Sequence, residues 1–360
     1  MSINISTHSS SNQDQKVKRP NGLWGLAWKR LKKDKTALFS LVIVIAYLVM
    51  ILLSSLGLIA KNWNVETAVS YAPPTFIYNL DKENTQPIIP HVSESTLEQT
   101  SHVNMYGVVD PLATDMNTIR QEIILQPAEH KDELKNSLFF GADRWGVDVL
   151  SKTIKGSETS ISVGLIAAFF SVALGTILGA VSGYFSGWID DLINWFYNIF
   201  TSIPYMLLIL AVAAVLQQQG ILSIILILAL TGWTGTYRLI RAEYMKHVDR
   251  EYVLAAKAIG VTHTRRIFIH IFPNVSHIAL VQISILVVSF IKSEVILSFL
   301  GFGVPIGTVS WGSMLNEAQS EFLLGNWWQL VAATTAMAIL VTAFSIFTDA
   351  LRDALDPKAK

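Results

Sequence analysis

Long uncharged runs are the feature that most limits what this chain can fold into. A helix needs about twenty apolar residues to cross roughly 30 Å of hydrocarbon. Runs of about this length lie between Lys35 and Lys61, between Glu158 and Asp190, between Asp191 and Arg238, from about 276 to 291, and between Glu321 and Asp349. The third run is about twice the needed length and is interrupted by QQQG at 217–220. The sequence therefore predicts six membrane-spanning helices.

Composition supports a membrane protein and excludes several other classes. The chain is 51% hydrophobic and 15% charged, outside the balance of a soluble domain. A net charge of zero gives no basic surface for nucleic acid. Without cysteine there are no disulfides, thiolate nucleophiles or Cys-ligated metals. The first twenty residues are polar and lack an apolar core, which predicts a disordered tail and no cleavable signal peptide.

The distribution of Lys and Arg predicts the orientation. Cations concentrate at 29–35, 238–266 and 352–360, and with six spans these three segments fall on one side of the membrane. Short basic loops mark the cytoplasmic side, so both termini are predicted to be cytoplasmic. Before the first span, apolar and basic residues at 23–33 fall on opposite faces of a helix, which predicts an interfacial anchor. The apolar face consists of Leu23, Trp24, Ala27, Trp28 and Leu31.

These patterns divide the chain into five parts. We predict a cytoplasmic tail with the interfacial helix at 1–36, the first span at 37–60, an external segment at 61–157, five further spans at 158–349 with a cytoplasmic loop at 241–275, and a cytoplasmic tail at 350–360. The external segment is rich in proline and has no metal-ligand spacing. Its scattered His91, His102 and His130 predict no metal site.

A compact polar stretch, EYVLAAKAIGVTHTRRIFIHIFPN at 251–274, separates two apolar runs. Asp249 is a candidate N-cap, and Gly260 supplies a left-handed stop. Between them the helix has one face with two central alanines, formed by Tyr252, Ala255, Ala256 and Ile259. Such a flat face suits a groove on another protein, although an ordinary interfacial helix fits the pattern equally well. A second helix is predicted to begin near Thr262 and to end before Pro273, at the entry to the fifth span.

The same stretch resembles the EAA loop of ATP-binding-cassette importer permeases, the cytoplasmic segment that docks into the ATPase subunit. More closely, it is similar to the C-type permease subunit of the dipeptide and oligopeptide importer family. The resemblance implies a role in ATPase coupling for Glu251, Tyr252, Ala255, Ala256, Lys257, Gly260, Arg265, Arg266 and Pro273.

Further matches follow in the family's order over about 140–357. They are FGADRWGVDVLSK at 140–152, SISVGLIAAFF, GAVSGYFSGWIDD, SIP at 202–204, SEVILSFLGFG at 293–303, SWGSM at 310–314 and LRDALDP at 351–357. Three departures stand out. Leu254 replaces the glutamate that names the motif, Trp195 and Asn198 replace an Arg and an Asp, and the external segment is longer than the family pattern.

The resemblance implies an all-α integral membrane protein with a MetI-like architecture, in which one N-terminal helix precedes a five-helix core. It also implies half of a translocation pathway for di- or oligopeptides, shared with a homologous B-type permease. Two cytoplasmic ATPases would bind the ATP and Mg, and an extracytoplasmic solute-binding protein would deliver the cargo. The chain itself has no G-x-x-x-x-G-K-[ST] loop, so it is expected to be a transport subunit without a cofactor or enzymatic activity.

Three alternatives remain open on the residues. One is an importer of the same type with a non-peptide cargo such as a nickel chelate. An ion-coupled carrier would place an ionisable group near the membrane midplane, but Lys292 and Glu294 are expected near the external end of the fifth span. A membrane-embedded enzyme needs clustered polar groups, whereas His270 and His277 are expected to be separated by a helix break at Pro273.

Some residues have two interpretations each. Glu294 is a candidate pathway residue that could meet a peptide ammonium group, or it is solvated by headgroup water together with Lys292. Pro204 interrupts the third span and is a candidate hinge, although membrane helices also tolerate proline without motion. Between the last two spans, 311–321 is expected to form a short amphipathic helix, and Trp327 and Trp328 are expected to belong to the aromatic belt.

Overall fold

In the computed structural model, the described residues are Gly25 and 30–78, 134–216, 220–305 and 307–355. The predicted N-terminal tail, most of the interfacial helix, the QQQ turn and the three histidines of the external segment lie outside these residues. The helices are α1 (Lys35–Ser55), α2 (Val149–Phe185), α3 (Gly187–Ser202), α4 (Tyr205–Leu216), α5 (Ile221–Gly232), α6 (Thr234–Val248), α7 (Glu251–Ala258), α8 (His263–Phe299), α9 (Trp311–Leu323) and α10 (Trp328–Leu355). The described part has isolated bridges and no strand.

Side-chain caps explain where the first two long helices begin. Asp34 accepts hydrogen bonds from the backbone N–H groups of Thr36 and Ala37, at 2.9 and 3.2 Å. Asp148 accepts from the N–H groups of Leu150 and Ser151, at 3.2 and 3.1 Å. Each carboxylate satisfies donors that the first turn of a helix leaves free. Because of the second cap, α2 begins inside the segment predicted to be external.

Helix α2 lies at the centre of the fold because its glycines allow close neighbours. Gly175 lies against the backbone of Trp233, Gly179 against Tyr237 and Gly183 against Arg241. The residue numbers of the contacting pairs increase in the same direction along both helices, so α2 and α6 run parallel. Small residues at intervals of four let two membrane helices approach closely. The chain returns between these two parallel helices through α3 and α4.

Contacts between α1, α10 and α8 define the two ends of the bundle. Leu31 packs with Ala354 and Leu355, whereas Tyr47 donates a hydrogen bond from Oη to the carbonyl oxygen of Ala336 at 2.9 Å. The beginning of α1 and the end of α10 therefore lie at the same end. We call it the basic end, since it also holds the basic segment around α7. The opposite loop end holds 56–78, 134–148 and 300–327.

Four helices are long and apolar enough to cross a membrane, and the number rises to six if two bent pairs each form one span. The α5–α6 pair bends by 40°, and the α3–α4 pair bends by 92° at Pro204. Helix α4 has twelve residues, a length of about 18 Å that does not reach across the hydrocarbon by itself. The prediction that Pro204 interrupts this span is confirmed; whether it acts as a hinge stays a prediction.

Tryptophans join the loop segments to the bundle. Trp328 is 7% exposed, and its Nε1 donates to the carbonyl oxygen of Ala142 at 2.7 Å. Trp311 is also buried, and its Nε1 donates to the carbonyl oxygen of Thr153 at 3.1 Å. The expectation that Trp328 belongs to the aromatic belt is wrong, because its indole N–H has a partner inside the fold. The expected amphipathic helix at 311–321 is confirmed as α9.

Candidate functional site

The short helix α7 stands at the basic end between α6 and α8. Glu251 lies in its first turn and Lys257 in its last. Gly260 has φ +80°, and its N–H donates to the carbonyl oxygen of Lys257 at 3.1 Å. The predicted glycine stop is therefore confirmed. The predicted cap is wrong, since Arg250 occupies the N-cap position and Asp249 ends the preceding helix.

Helix α7 has one buried and one exposed face. Val253 and Ala256 face inward, and Ala256 is only 5% exposed. Tyr252, Ala255 and Ile259 are exposed, Ile259 at 80%. Ala256 therefore does not belong to the exposed face that was predicted for this helix. Leu254 is exposed on the outer face of α7 instead, at the position where the family motif has glutamate.

Packing holds the inner face of α7 in place. Val253 belongs to a cluster with Tyr244 of α6 and with Ile267 and Ile271 of α8. The Tyr244 hydroxyl donates to the carbonyl oxygen of Ile267 at 3.1 Å. The inner face of α7 is therefore packed against α6 and α8, and its apolar outer face is exposed.

The two arginines after α7 differ in their surroundings. Arg265 is exposed, whereas Arg266 is buried, with its guanidinium 5.7 Å from the centre of the Tyr184 ring. His263 lies beside them, with its Nδ1 3.0 Å from the Tyr184 hydroxyl. Arg266 therefore ties the start of α8 to the end of α2. Of the two arginines, Arg265 is the one whose side chain is exposed at this surface.

Pro273 does not separate two helices. Thr262 precedes the first turn as predicted, but helix α8 then continues from His263 to Phe299 through a π-helical segment, Arg266–Ile271. Proline has no N–H and its ring crowds the preceding turn, and the wider π turn just before it accommodates both effects. The expected break at Pro273, and the separation of His270 from His277 by it, are wrong.

A polar cluster joins three helices close to α7. Arg241 of α6 donates to both carboxylate oxygens of Asp190 in α3, each at 2.6 Å. Asp190 also accepts from Asn194 at 2.9 Å and from the Ser182 hydroxyl of α2. A two-point ion pair of this kind fixes orientation as well as distance. It holds the α2–α3 corner against the helix that leads into α7.

The charges inside α8 point in different directions. Glu294 is 0% exposed, and its Oε1 accepts a hydrogen bond from Ser298 Oγ at 2.7 Å. Lys292, two residues earlier, is exposed. Solvation of Glu294 by headgroup water is therefore wrong, whereas its role as a pathway residue stays a prediction. Across the described residues, no cluster of three His, Cys, Asp or Glu side chains is suited to a metal ion.

A second buried polar cluster lies at the loop end. Lys152 of α2 donates to Asp143 Oδ2 at 2.7 Å and to Glu317 Oε2 of α9 at 2.5 Å. Glu321, also on α9, is fully buried and accepts from the Arg144 N–H at 3.2 Å. Burial raises the pKa of the Glu321 carboxyl above its ordinary value, against the smaller effect of the Arg144 hydrogen bond. These contacts hold the 134–148 segment and α9 on the start of α2.

Two models of known protein families match the sequence. A family model described as "Binding-protein-dependent transport system inner membrane component" matches residues 175–360. A second, the "N-terminal TM domain of oligopeptide transport permease C", matches residues 22–74. The chain belongs to the family of inner-membrane components of binding-protein-dependent transport systems. It is a membrane transport component.

Relatives of this permease match over most of their length. The dipeptide transport system permease protein DppC of Bacillus subtilis (strain 168) is 34% identical over 258 residues, 71% of this chain and 78% of that protein. DppC of Lactococcus lactis subsp. cremoris (strain MG1363) is 28% identical over 355 residues, 97% of this chain and 95% of that protein. The longer match includes most of the external segment, so this extra length is shared with at least one relative.

A solved structure is also similar. It is a chain from inward-facing conformations of the MetNI methionine ABC transporter, with a TM-score of 0.43 and 15% identity. The match covers 56% of the permease and 96% of that chain.

Sequence reasoning missed the Asp190–Arg241 pair and the glycine contacts of α2. The glycines had a readable signal, because GTILGAVSG places glycine at 175, 179 and 183. The ion pair had no local signal, since its partners are 51 residues apart. Only the parallel packing of α2 and α6 brings them together.

Proposed function

We propose that this permease forms half of a pathway that carries di- and oligopeptides into the cell. A homologous B-type permease supplies the other half, and a solute-binding protein delivers the cargo at the loop end. Two cytoplasmic ATPases bind ATP and Mg and act on the basic end, so that both termini are cytoplasmic. The peptide cargo is supported by the relatives, which are named as dipeptide and oligopeptide transport proteins.

The observation that carries this proposal is the two-sided helix α7. Its outer face offers Leu254, Ala255 and Ile259 to a groove, while Val253 and Ala256 anchor it to the bundle. The Glu251–Pro273 segment thereby transmits closure of the ATPases to α6 and α8. Alternating access follows when the two permeases rock about a fixed central site.

Substitutions at Ile259 test the docking surface. Ile259→Glu places a charge on the outer face without touching the anchored one, whereas Ile259→Leu keeps the surface apolar and serves as the matched control. Ala256→Glu is unsuitable because it would bury a charge inside the bundle. Leu254→Glu restores the family residue at an exposed position and is expected to be tolerated.

The measurement is recovery of partners with the tagged chain from gently solubilised membranes, read by mass spectrometry. We expect a second permease and Walker-type ATPases with the wild type and with Ile259→Leu. Ile259→Glu should lose the ATPases by about tenfold or more, as for a central interface residue, and should keep the second permease. Recovery of the chain alone, or as a homo-oligomer, would instead indicate an ion-coupled carrier.

Cargo needs its own experiment. Uptake of radiolabelled dialanine and trialanine should depend on the chain and should fail in Ile259→Glu. If peptides are not taken up and a nickel chelate is, the cargo assignment is wrong while the importer assignment stands.

A further inference from the structure

One face of α8 is exposed or half-buried from 278 to 296. Between 278 and 296, the residues that are not fully buried on this face recur every three or four positions, as on one side of a helix. They are Ile278, Gln282, Ile285, Ser289, Lys292 and Ile296, and we call them the α8 stripe. Val287, Phe290, Ile291 and Glu294 point away from it and are buried.

Half of the α8 stripe is polar. Its polar members are Gln282, Ser289 and Lys292, and the other three are isoleucines. In the described part of the chain, the Lys292 ammonium forms no ion pair, and the amide of Gln282 makes no side-chain hydrogen bond. A lysine and an amide without partners are costly in hydrocarbon and usually face a water-filled space.

The exposed face of α1 shows what this chain presents to lipid. From Phe39 to Leu52 its exposed side chains are all apolar, and they include Val42, Ile45 and Leu48. Exposed Phe169 and Phe170 give α2 the same character. The α8 stripe differs from both in kind, so a lipid environment does not suit it.

A cavity lies where the α8 stripe reaches the basic end. It has a volume of about 410 Å³ between α6, α8 and α10, and its lining includes Ile278, Gln282, Ile285 and two basic side chains, His277 and Arg352. From Gln282 the stripe rises ten residues to Lys292, a distance of about 15 Å. Polar groups therefore continue from this cavity towards the loop end.

We infer that the α8 stripe lines the aqueous translocation pathway and that Lys292 receives the C-terminal carboxylate of a passing peptide. This inference rests on the proposed function and deepens it. An ammonium ion within the pathway meets the one negative group that every unmodified peptide carries. Gln282 and Ser289 offer donors and acceptors to the peptide backbone, which suits a pathway that accepts varied side chains.

Cysteine labelling tests the surface, because the native chain has no cysteine and each introduced thiol is unique within it. We choose Ser289→Cys and Lys292→Cys in the assembled transporter. Phe169→Cys is the control for an exposed position outside the α8 stripe, and Val287→Cys is the control for a buried position. The reagents are the charged thiol reagent MTSET and the lipid-permeant N-ethylmaleimide, with modification of this chain read by mass.

We expect MTSET to modify both stripe cysteines in at least one nucleotide state and to leave both controls unmodified. Modification by N-ethylmaleimide alone would show a lipid-facing surface, and no modification by either reagent would show a sealed subunit contact. Either result overturns the inference.

A peptide pair tests the role of Lys292. We compare uptake of trialanine with that of trialanine amide, which lacks the carboxylate, and use the ratio so that selection by other components cancels. Lys292→Gln should lower the ratio about fivefold relative to wild type, the size of one solvent-accessible ionic contact. Lys292→Arg should restore it. An unchanged ratio in Lys292→Gln overturns the assignment of Lys292.

Failure here is distinguishable from failure of the proposed function. If ATPases are recovered with the chain but the stripe is sealed or lipid-facing, the importer stands and the pathway lies elsewhere. If the stripe is water-accessible but no ATPase is recovered, the pathway stands and its energy source is different.

Discussion

At the scale of single residues, a partly buried ion pair joins helices that are distant in the chain. Arg241 and Asp190 connect α6 with α3 through two hydrogen bonds of 2.6 Å, and Ser182 adds α2 to the same cluster. A buried carboxylate that loses its cation keeps its desolvation cost, so removing one partner is worse than removing both.

The first prediction concerns this pair. Asp190→Asn and Arg241→Gln should each destabilise the detergent-solubilised protein by about 2 kcal/mol. The double variant should cost less than the sum of the two, because no charge is left unpaired. The measurement is a double-mutant cycle on the melting temperature. Strictly additive effects would show that the two side chains are not coupled.

Glu321 gives a prediction about pH. Burial raises the pKa of its carboxyl above the ordinary value of 4.5, opposed by the Arg144 N–H and by Lys152, while Asp143 and Glu317 add to the rise. The folded state therefore holds the proton more tightly than the unfolded state. The associated stability is present below about pH 4.5 and is lost as pH rises through the raised pKa.

Glu321→Gln should therefore raise the melting temperature at neutral pH and should remove part of the decline in stability above pH 4.5. The gain should be about 1 kcal/mol, since the amide keeps the acceptor for Arg144 and removes the buried charge. Exposed Glu66→Gln is the control and should leave the pH profile unchanged. A profile identical to wild type in Glu321→Gln would contradict the assignment.

At the scale of elements, the parallel pair of α2 and α6 decides how the bundle closes. A Cβ at Gly179 would lie 2.8 Å from the Tyr237 carbonyl oxygen and 3.0 Å from the Arg241 N–H nitrogen. Those atoms are backbone and cannot move aside cheaply. This close contact also sets the position of Arg241, on which the ion pair depends.

Gly179→Ala should therefore separate the two helices and cost about 1–3 kcal/mol. Gly235→Ala is a matched control in α6, because nothing lies within 4 Å of the added methyl group, and alanine favours a helix over glycine. The melting temperature should fall in the first variant and stay level or rise in the second. Equal behaviour of the two would show that the close contact does not exist.

At the scale of the whole molecule, the described ends of α1 and α10 lie together, as Leu31 and Leu355 show. An even number of crossings follows from that. The four long helices and two bent pairs satisfy it with six. The basic end and the loop end then lie on opposite sides of the membrane, and the positive-inside rule predicts that the basic end is cytoplasmic, as the proposed function requires.

Orientation is testable with two exposed positions. Trp145→Cys at the loop end should react with impermeant MTSET in intact cells, and Ile259→Cys at the basic end should react only after the membrane is opened and the ATPases are stripped from it. Both side chains are well exposed, so access depends on the side of the membrane. The reverse pattern would invert the orientation and would exclude docking of cytoplasmic ATPases on α7.

The sequence by itself determined the membrane class, the six apolar spans, the glycine stop of α7 and the family. These features depend on local composition or on short motifs, because a hydrocarbon layer demands continuous apolar helices whatever their neighbours are. Helix caps were harder to predict from the sequence. Asp148 caps α2, whereas Asp249 looked equally suited to α7 and does not cap it.

Only the tertiary structure decided which way side chains face. It buried Ala256, Arg266 and Glu294, left Lys292 open, and gave Trp328 a partner inside the fold. It also carried α8 unbroken past Pro273 through a π-helical segment. The physical reason is that a polar residue in a membrane helix faces either water or a partner inside the bundle, so composition alone does not orient such a helix. Its buried face is chosen by the close fit of neighbouring helices, which are distant in the chain.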